Sequence, residues 1–127
     1  SQIFTGNDKT LMNYDLNGIR FVDMPWLLQP DHPAVMIYPR ASTPLSTDRE
    51  RLYALGIDAY RLIQLLLTNR VDTGLPLDGV SGNIRLYGHV FTREPLLAIF
   101  QQGQAQLPGS ASSPATEIFH PRTINAP

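Results

Sequence analysis

The 127-residue chain contains no cysteine. That absence removes disulfides, thiolate catalysis, zinc ribbons and iron–sulfur clusters together, and it leaves the redox compartment open. An excess of one charge is missing too: ten basic and eleven acidic side chains give a formal net charge of -1. A nucleic-acid binder needs a basic face to displace counterions, so that class is set aside. No apolar run approaches the roughly 18 residues that span a bilayer. No signal peptide is visible, Ser1 stands where Met would, and Ile3-Phe4 already reads as strand. The expectation is a piece of a longer polypeptide. What remains is ordinary for a globular protein. Apolar residues make up 43% of the chain, too many for a disordered one. The length allows one domain or part of one.

Along the chain, Ser1 to Thr5 reads as extended and Gly6-Asn7-Asp8 as a turn. Ile19 and Phe21 point one way and Arg20 the other, the alternation of a strand ending near Asp23, because Pro25 cannot donate to a ladder. Pro25, Pro30, Pro33, Pro39 and Pro44 then forbid a long helix. The expectation is a long loop, with Val35–Tyr38 a short strand or turn inside it and the whole connecting two subdomains. Arg49 to Leu67 is the strongest element. Leu52, Leu55, Gly56, Ala59, Leu62, Ile63 and Leu66 share one face at helical spacing and predict the buried side, with Arg51, Asp58, Arg61 and Thr68 opposite. The small Gly56 and Ala59 there predict close approach of a neighbouring backbone. Thr47 and Glu50 fit a capping box. Gly88-His89 suits a two-residue type II′ hairpin pairing Leu86 with Phe91 and Tyr87 with Val90. Leu96 to Phe100 reads as a further strand. The expected division is a folded unit over 1–104 and a Pro-, Ser- and Ala-rich tail over 105–127, with Ile118-Phe119 expected to anchor it on an apolar patch.

Candidate chemistry is sparse. His32, His89 and His120 are far apart and lack ligand spacing, so no metal site is expected. Gly79-Val80-Ser81-Gly82 lacks the final Gly of a nucleophile elbow and has a helix before it and a hairpin after it, so it reads as a turn. Asp72-Thr73-Gly74 matches the aspartic-protease triplet, but it follows a long helix, and a second carboxylate would have to come from another copy. No catalytic residue and no cofactor are expected. The ligand- or partner-binding candidates are Asp23 and Trp26, where a strand ends and a large aromatic follows. The competing reading puts Trp26 with Leu27 and Leu28 in the core and Asp23 in a turn cap.

Three segments carry a resemblance. They are Asp15 to Leu28 (DLNGIRFVDMPWLL), Arg51 to Leu62 (RLYALGIDAYRL) and Asp78 to Leu86 (DGVSGNIRL). Together they resemble the C-terminal region of the LppC/LpoA family of bacterial lipoproteins, with Ser1 to Gly6 similar to the segment just before. The resemblance covers about residues 1 to 103 and implies an α/β fold, the C-terminal part of a type I periplasmic-binding-protein-like two-lobed fold. It also implies a periplasmic protein anchored to the outer membrane by a lipid outside this chain. Its implied role is to activate a class A penicillin-binding protein in peptidoglycan synthesis, as a regulator and not an enzyme. The alternative is a periplasmic solute-binding protein for an amino acid or peptide. The chain departs from the family in length, and a piece of such a fold leaves a parallel sheet edge to be covered by the rest or by a second copy.

Overall fold

The computed structural model describes residues 15–109. The extended start, the Gly6-Asn7-Asp8 turn, the Ile118-Phe119 anchor and His120 lie outside the described residues. Strand β1 (Arg20–Asp23) turns Phe21 and Asp23 inward and Arg20 and Val22 outward. It stops where expected, and Pro25 instead opens the helical turn α1 (Pro25–Leu28). Proline suits the first helical position, where its missing N–H has no partner to lose. The same device recurs at Pro33, which starts α2 (Pro33–Met36), with the His32 Nδ1 accepting from the Ala34 amide at 3.2 Å. The expected strand or turn at Val35–Tyr38 is therefore corrected to a helical turn, whose Val35 is buried.

Helix α3 (Thr47–Leu67) begins after Ser46 as N-cap, one residue before the Thr47 expected in that place. The Glu50 amide bonds to the Ser46 carbonyl at 2.9 Å, and the Glu50 carboxylate turns to the Trp26 indole instead. At the other end the Arg70 amide reaches the Leu65 carbonyl and the Asn69 amide the Leu66 carbonyl, with Asn69 at φ 53. This is a Schellman closure with asparagine in the left-handed position. Asp72-Thr73-Gly74 lies in the helical turn α4 (Val71–Gly74), with Asp72 exposed.

The remaining elements are short strands: β2 (Leu77–Asp78), β3 (Asn83–Tyr87), β4 (Val90–Glu94), β5 (Leu96–Gln101) and β6 (Gln104–Gln106). One sheet has the order β2-β3-β4 and the other β1-β5-β6. The hairpin has the expected register, Leu86 opposite Phe91 and Tyr87 opposite Val90, with Gly88 at φ 62 as a type II′ turn requires. Every pairing among the described strands is antiparallel, so the expected open parallel edge is not found there. The boundary expected at residue 104 falls inside β6. Phe21 stacks on Phe100 at 4.6 Å between β1 and β5, forming one apolar cluster with Ala98. A second cluster holds Met24, Trp26, Val35, Ala54 and Val80, and Leu27 packs against both.

Helix α3 is turned the other way from the expectation. Its buried residues are Ala54 and Asp58, flanked by the half-buried Arg51, Ile57 and Arg61. Leu52 is 68% exposed, Ile63 52% and Leu66 53%. Gly56 has nothing within 4 Å of where a Cβ would sit, so no neighbouring backbone approaches it among the described residues. The reason is Asp58. Its carboxylate is 2% exposed as a residue and accepts from the Val80 amide at 3.1 Å, the Ser81 amide at 2.7 Å and the Ser81 hydroxyl at 2.6 Å. Arg61 adds a contact at 3.4 Å and also donates to the Asp78 carbonyl at 3.2 Å. A buried carboxylate is tolerable only with such partners, and apart from Arg61 of the same helix they lie at Val80 and Ser81, so the helix must present its polar stripe to that turn. Gly79 completes the fit: a Cβ there would lie 2.5 Å from the Asp58 Oδ2.

Asp58→Ala leaves three donors without an acceptor and is expected to cost about 3 kcal/mol, against about 1 kcal/mol for Ser81→Ala. Urea unfolding followed by circular dichroism measures both, and equal, sub-kilocalorie effects would contradict the assignment.

Candidate functional site

The two singled-out residues both pack against α3, Asp23 from the end of β1 and Trp26 from α1. Strand alternation turns Asp23 inward beside the first turns of the helix. Its Oδ1 accepts from the Met24 amide at 2.8 Å and from the Arg51 Nε at 3.1 Å, while Oδ2 takes the Arg51 Nη2 at 2.7 Å. This is a two-bond fork between planar groups, the geometry in which arginine binds a carboxylate best. Arg51 Nη1 reaches Asp48 at 2.9 Å. The Asp23 hydrogen bonds hold the Arg51 pKa above its ordinary value although burial pulls the other way.

Trp26 is 1% exposed. Its amide bonds to the Val80 carbonyl at 2.9 Å, which ties α1 to the turn that Asp58 holds. The indole Nε1 donates to Glu50 at 2.6 Å, and Tyr53 packs its ring edge-on at 5.5 Å. The guanidinium of Arg40 lies 3.6 Å from the indole centroid, donates to the Trp26 carbonyl at 3.0 Å and pairs with Glu50 at 3.7 Å. Tyr53 also donates to the Pro39 carbonyl at 3.1 Å. These contacts fasten the proline-rich segment to the start of the helix. Of the two readings of Trp26, the core reading describes its position. The ring itself offers no face to a ligand, and Arg40 is what it presents outward.

Asp23 does border open space. An open pocket of about 460 Å³ is lined by Val22, Asp23, Met24, Asp48, Arg51, Arg93 and Pro95. Arg93 donates to the Ser81 carbonyl at 3.0 Å. Each buried charge here is engaged by scaffold partners, an arrangement suited to holding a surface in shape. Ser81, the centre of the incomplete elbow, is buried with its hydroxyl on Asp58. His32 caps α2, and His89 sits exposed in the hairpin turn. Among the described residues no three His, Cys, Asp or Glu side chains gather as a metal site would require.

Sequence reasoning missed Arg40, Glu50, Arg51 and Asp58 as organising residues. The signal was available in part: Arg51, Asp58 and Arg61 recur at intervals of seven and three, a polar stripe on one helix face that reads equally as solvated surface or as a buried seam.

Trp26 is the sole tryptophan, so its emission reports this junction. Its fluorescence is expected to be blue-shifted and insensitive to iodide; emission of an exposed indole would contradict the packing. Asp23→Ala strands the Arg51 guanidinium at a half-buried position and is expected to cost about 2 kcal/mol in a denaturant titration. A neutral result would show that Asp48 alone suffices.

Three comparisons bear on this arrangement. The family model described as "LppC putative lipoprotein" matches residues 1–94. A penicillin-binding protein activator LpoA from Vibrio cholerae is 39% identical over 69 residues, which is 54% of this chain and 11% of that protein. A solved structure described as a "putative branched-chain amino acid ABC transporter" from Chromobacterium violaceum is 48% identical with a TM-score of 0.59, covering 68% of this chain and 29% of that one. The LpoA C-domain from Haemophilus influenzae, described as a regulator of PBP1A, is 26% identical with a TM-score of 0.61, covering 81% of this chain and 32% of that one. The chain thus spans about a tenth of the curated relative and under a third of each solved chain. The expected fold class, mixed α/β of the type I periplasmic-binding kind, stands on the two structural matches. With the family pattern running from the first residue through β4, the chain belongs to the LppC family.

Proposed function

We propose that this chain is part of a periplasmic lipoprotein that activates a class A penicillin-binding protein in peptidoglycan synthesis, acting by contact and not by catalysis. The carrying observation is that the matched 1–94 stretch contains the whole Asp23–Arg51 and Asp58–Ser81 framework, and that a similar protein from Vibrio cholerae is named a penicillin-binding protein activator. The geometry agrees with the role. Both buried carboxylates hold backbone and cations in place, and a regulator needs a surface of fixed shape. Among the described residues no helix is long and apolar enough to cross a membrane. The proposed attachment is a lipid anchor outside this chain, at the outer membrane. Among the described residues, β6 (Gln104–Gln106) is the last strand.

Within this reading Asp23 and Trp26 act at one remove. Asp23 walls the open pocket beside Arg51, and Trp26 supports Arg40, whose side chain is partly exposed. The intact lipoprotein, added to a purified class A penicillin-binding protein of the same organism, is expected to bind it and speed glycan polymerisation or cross-linking. Binding without acceleration, or neither, would overturn the proposal. The 48% identity to a chain described as an amino-acid transporter favours a second reading, solute binding. It predicts a rise in melting temperature with leucine or another amino acid, by mass action on the native state, and no effect on glycan synthesis.

A further inference from the structure

Helix α3 carries more apolar surface than the described residues cover. Leu52, Tyr60, Ile63, Leu66 and Leu67 are exposed along one side of a helix about 30 Å long. At its first half this side opens into an apolar groove of about 620 Å³ between the helix and Tyr38 and Leu45, floored by Gly56. An apolar patch this long is unusual on a protein surface exposed to water and marks an interface. The helix cannot rotate to bury it, because Asp58 and Arg51 pin the opposite side to the 78–81 turn and to β1.

We propose that this face of α3 is an internal seam, and that its occupant is the part of the periplasmic-binding-type domain that relatives carry outside the matched stretch. Two observations select that occupant over a second copy. More than two thirds of the Chromobacterium violaceum chain lies outside the match, although that match is at 48% identity and includes most of this chain, so a large body of further chain is available to cover it. The Haemophilus influenzae C-domain repeats the proportion, with 32% of its length matched. The occupant is therefore an apolar surface that meets the groove at Gly56, between Tyr53 and Tyr60. This inference rests on family membership and is independent of penicillin-binding protein activation.

The absence of cysteine makes the test direct. Single cysteines are placed at Ile63, Leu66 and, as an exposed control on the hairpin, Val90. Maleimide labelling at each site is read by peptide mass spectrometry in two settings: this chain alone, and this chain's sequence substituted for the matched stretch of the Chromobacterium violaceum protein. All three sites are expected to label quickly in the chain alone. In the longer protein, positions 63 and 66 are expected to slow at least 100-fold while position 90 stays fast. Fast labelling at 63 in a longer protein that is folded by circular dichroism would overturn the proposal. So would protection at 63 in the chain alone that rises with protein concentration, which would assign the face to a second copy. A second variant does not depend on the longer protein folding. Ile63→Asp in the chain alone is expected to leave its melting temperature within about 2 °C, and a collapse of the fold would show that the face is already covered by this chain's own residues.

Discussion

The interaction on which the rest depends is the buried carboxylate of Asp58. A carboxyl group taken out of water needs hydrogen-bond partners, and the chain supplies them from one short turn: two amides and a hydroxyl at Val80 and Ser81, with Arg61 alongside. The consequence is rotational. Once Asp58 is committed to that turn, the phase of the whole helix is set, and with it the identity of every residue that faces in or out. Ala54 goes into the core one turn earlier because it lies on the same side, and Arg51 is brought to Asp23 one turn before that.

The same phase joins the two apolar clusters to the polar framework. Trp26 sits where the framework and the core meet, with its amide on Val80, its indole on Glu50 and its ring in the Met24–Val35–Ala54–Val80 cluster. Holding one end of α1 by the turn and the other by Leu27, which reaches the Phe21–Phe100 cluster, ties the β1-β5-β6 sheet to the helix. The molecule is thus organised along a charged seam, with apolar packing on both sides of it. A surface built this way keeps its shape through directional bonds.

The legible parts of the sequence were those decided by local stereochemistry. Proline placed the end of β1, glycine placed the hairpin turn, and alternation placed its register, since a two-residue loop leaves one pairing. The span of α3 was legible from its length and periodicity. Its facing was not. The apolar stripe at 52, 55, 59, 63 and 66 pointed to the core by the ordinary rule, and that rule assumes the partner surface belongs to the same stretch of chain. The candidate residues followed the same division. Asp23 and Trp26 stood out because a strand ended beside a large aromatic, and both lie at the organising junction; their partners Arg51, Glu50 and Arg40 are 14 to 28 positions away and carry no local mark.

Native-state hydrogen exchange at Val80 and Ser81 tests the central claim most directly, because it reads the two amides that Asp58 accepts. If the carboxylate sets the fold, these turn amides exchange only through global unfolding, with the same free energy as the slowest amides in the middle of α3. Exchange of Val80 and Ser81 at the rate of an open loop, while α3 stays protected, would contradict it.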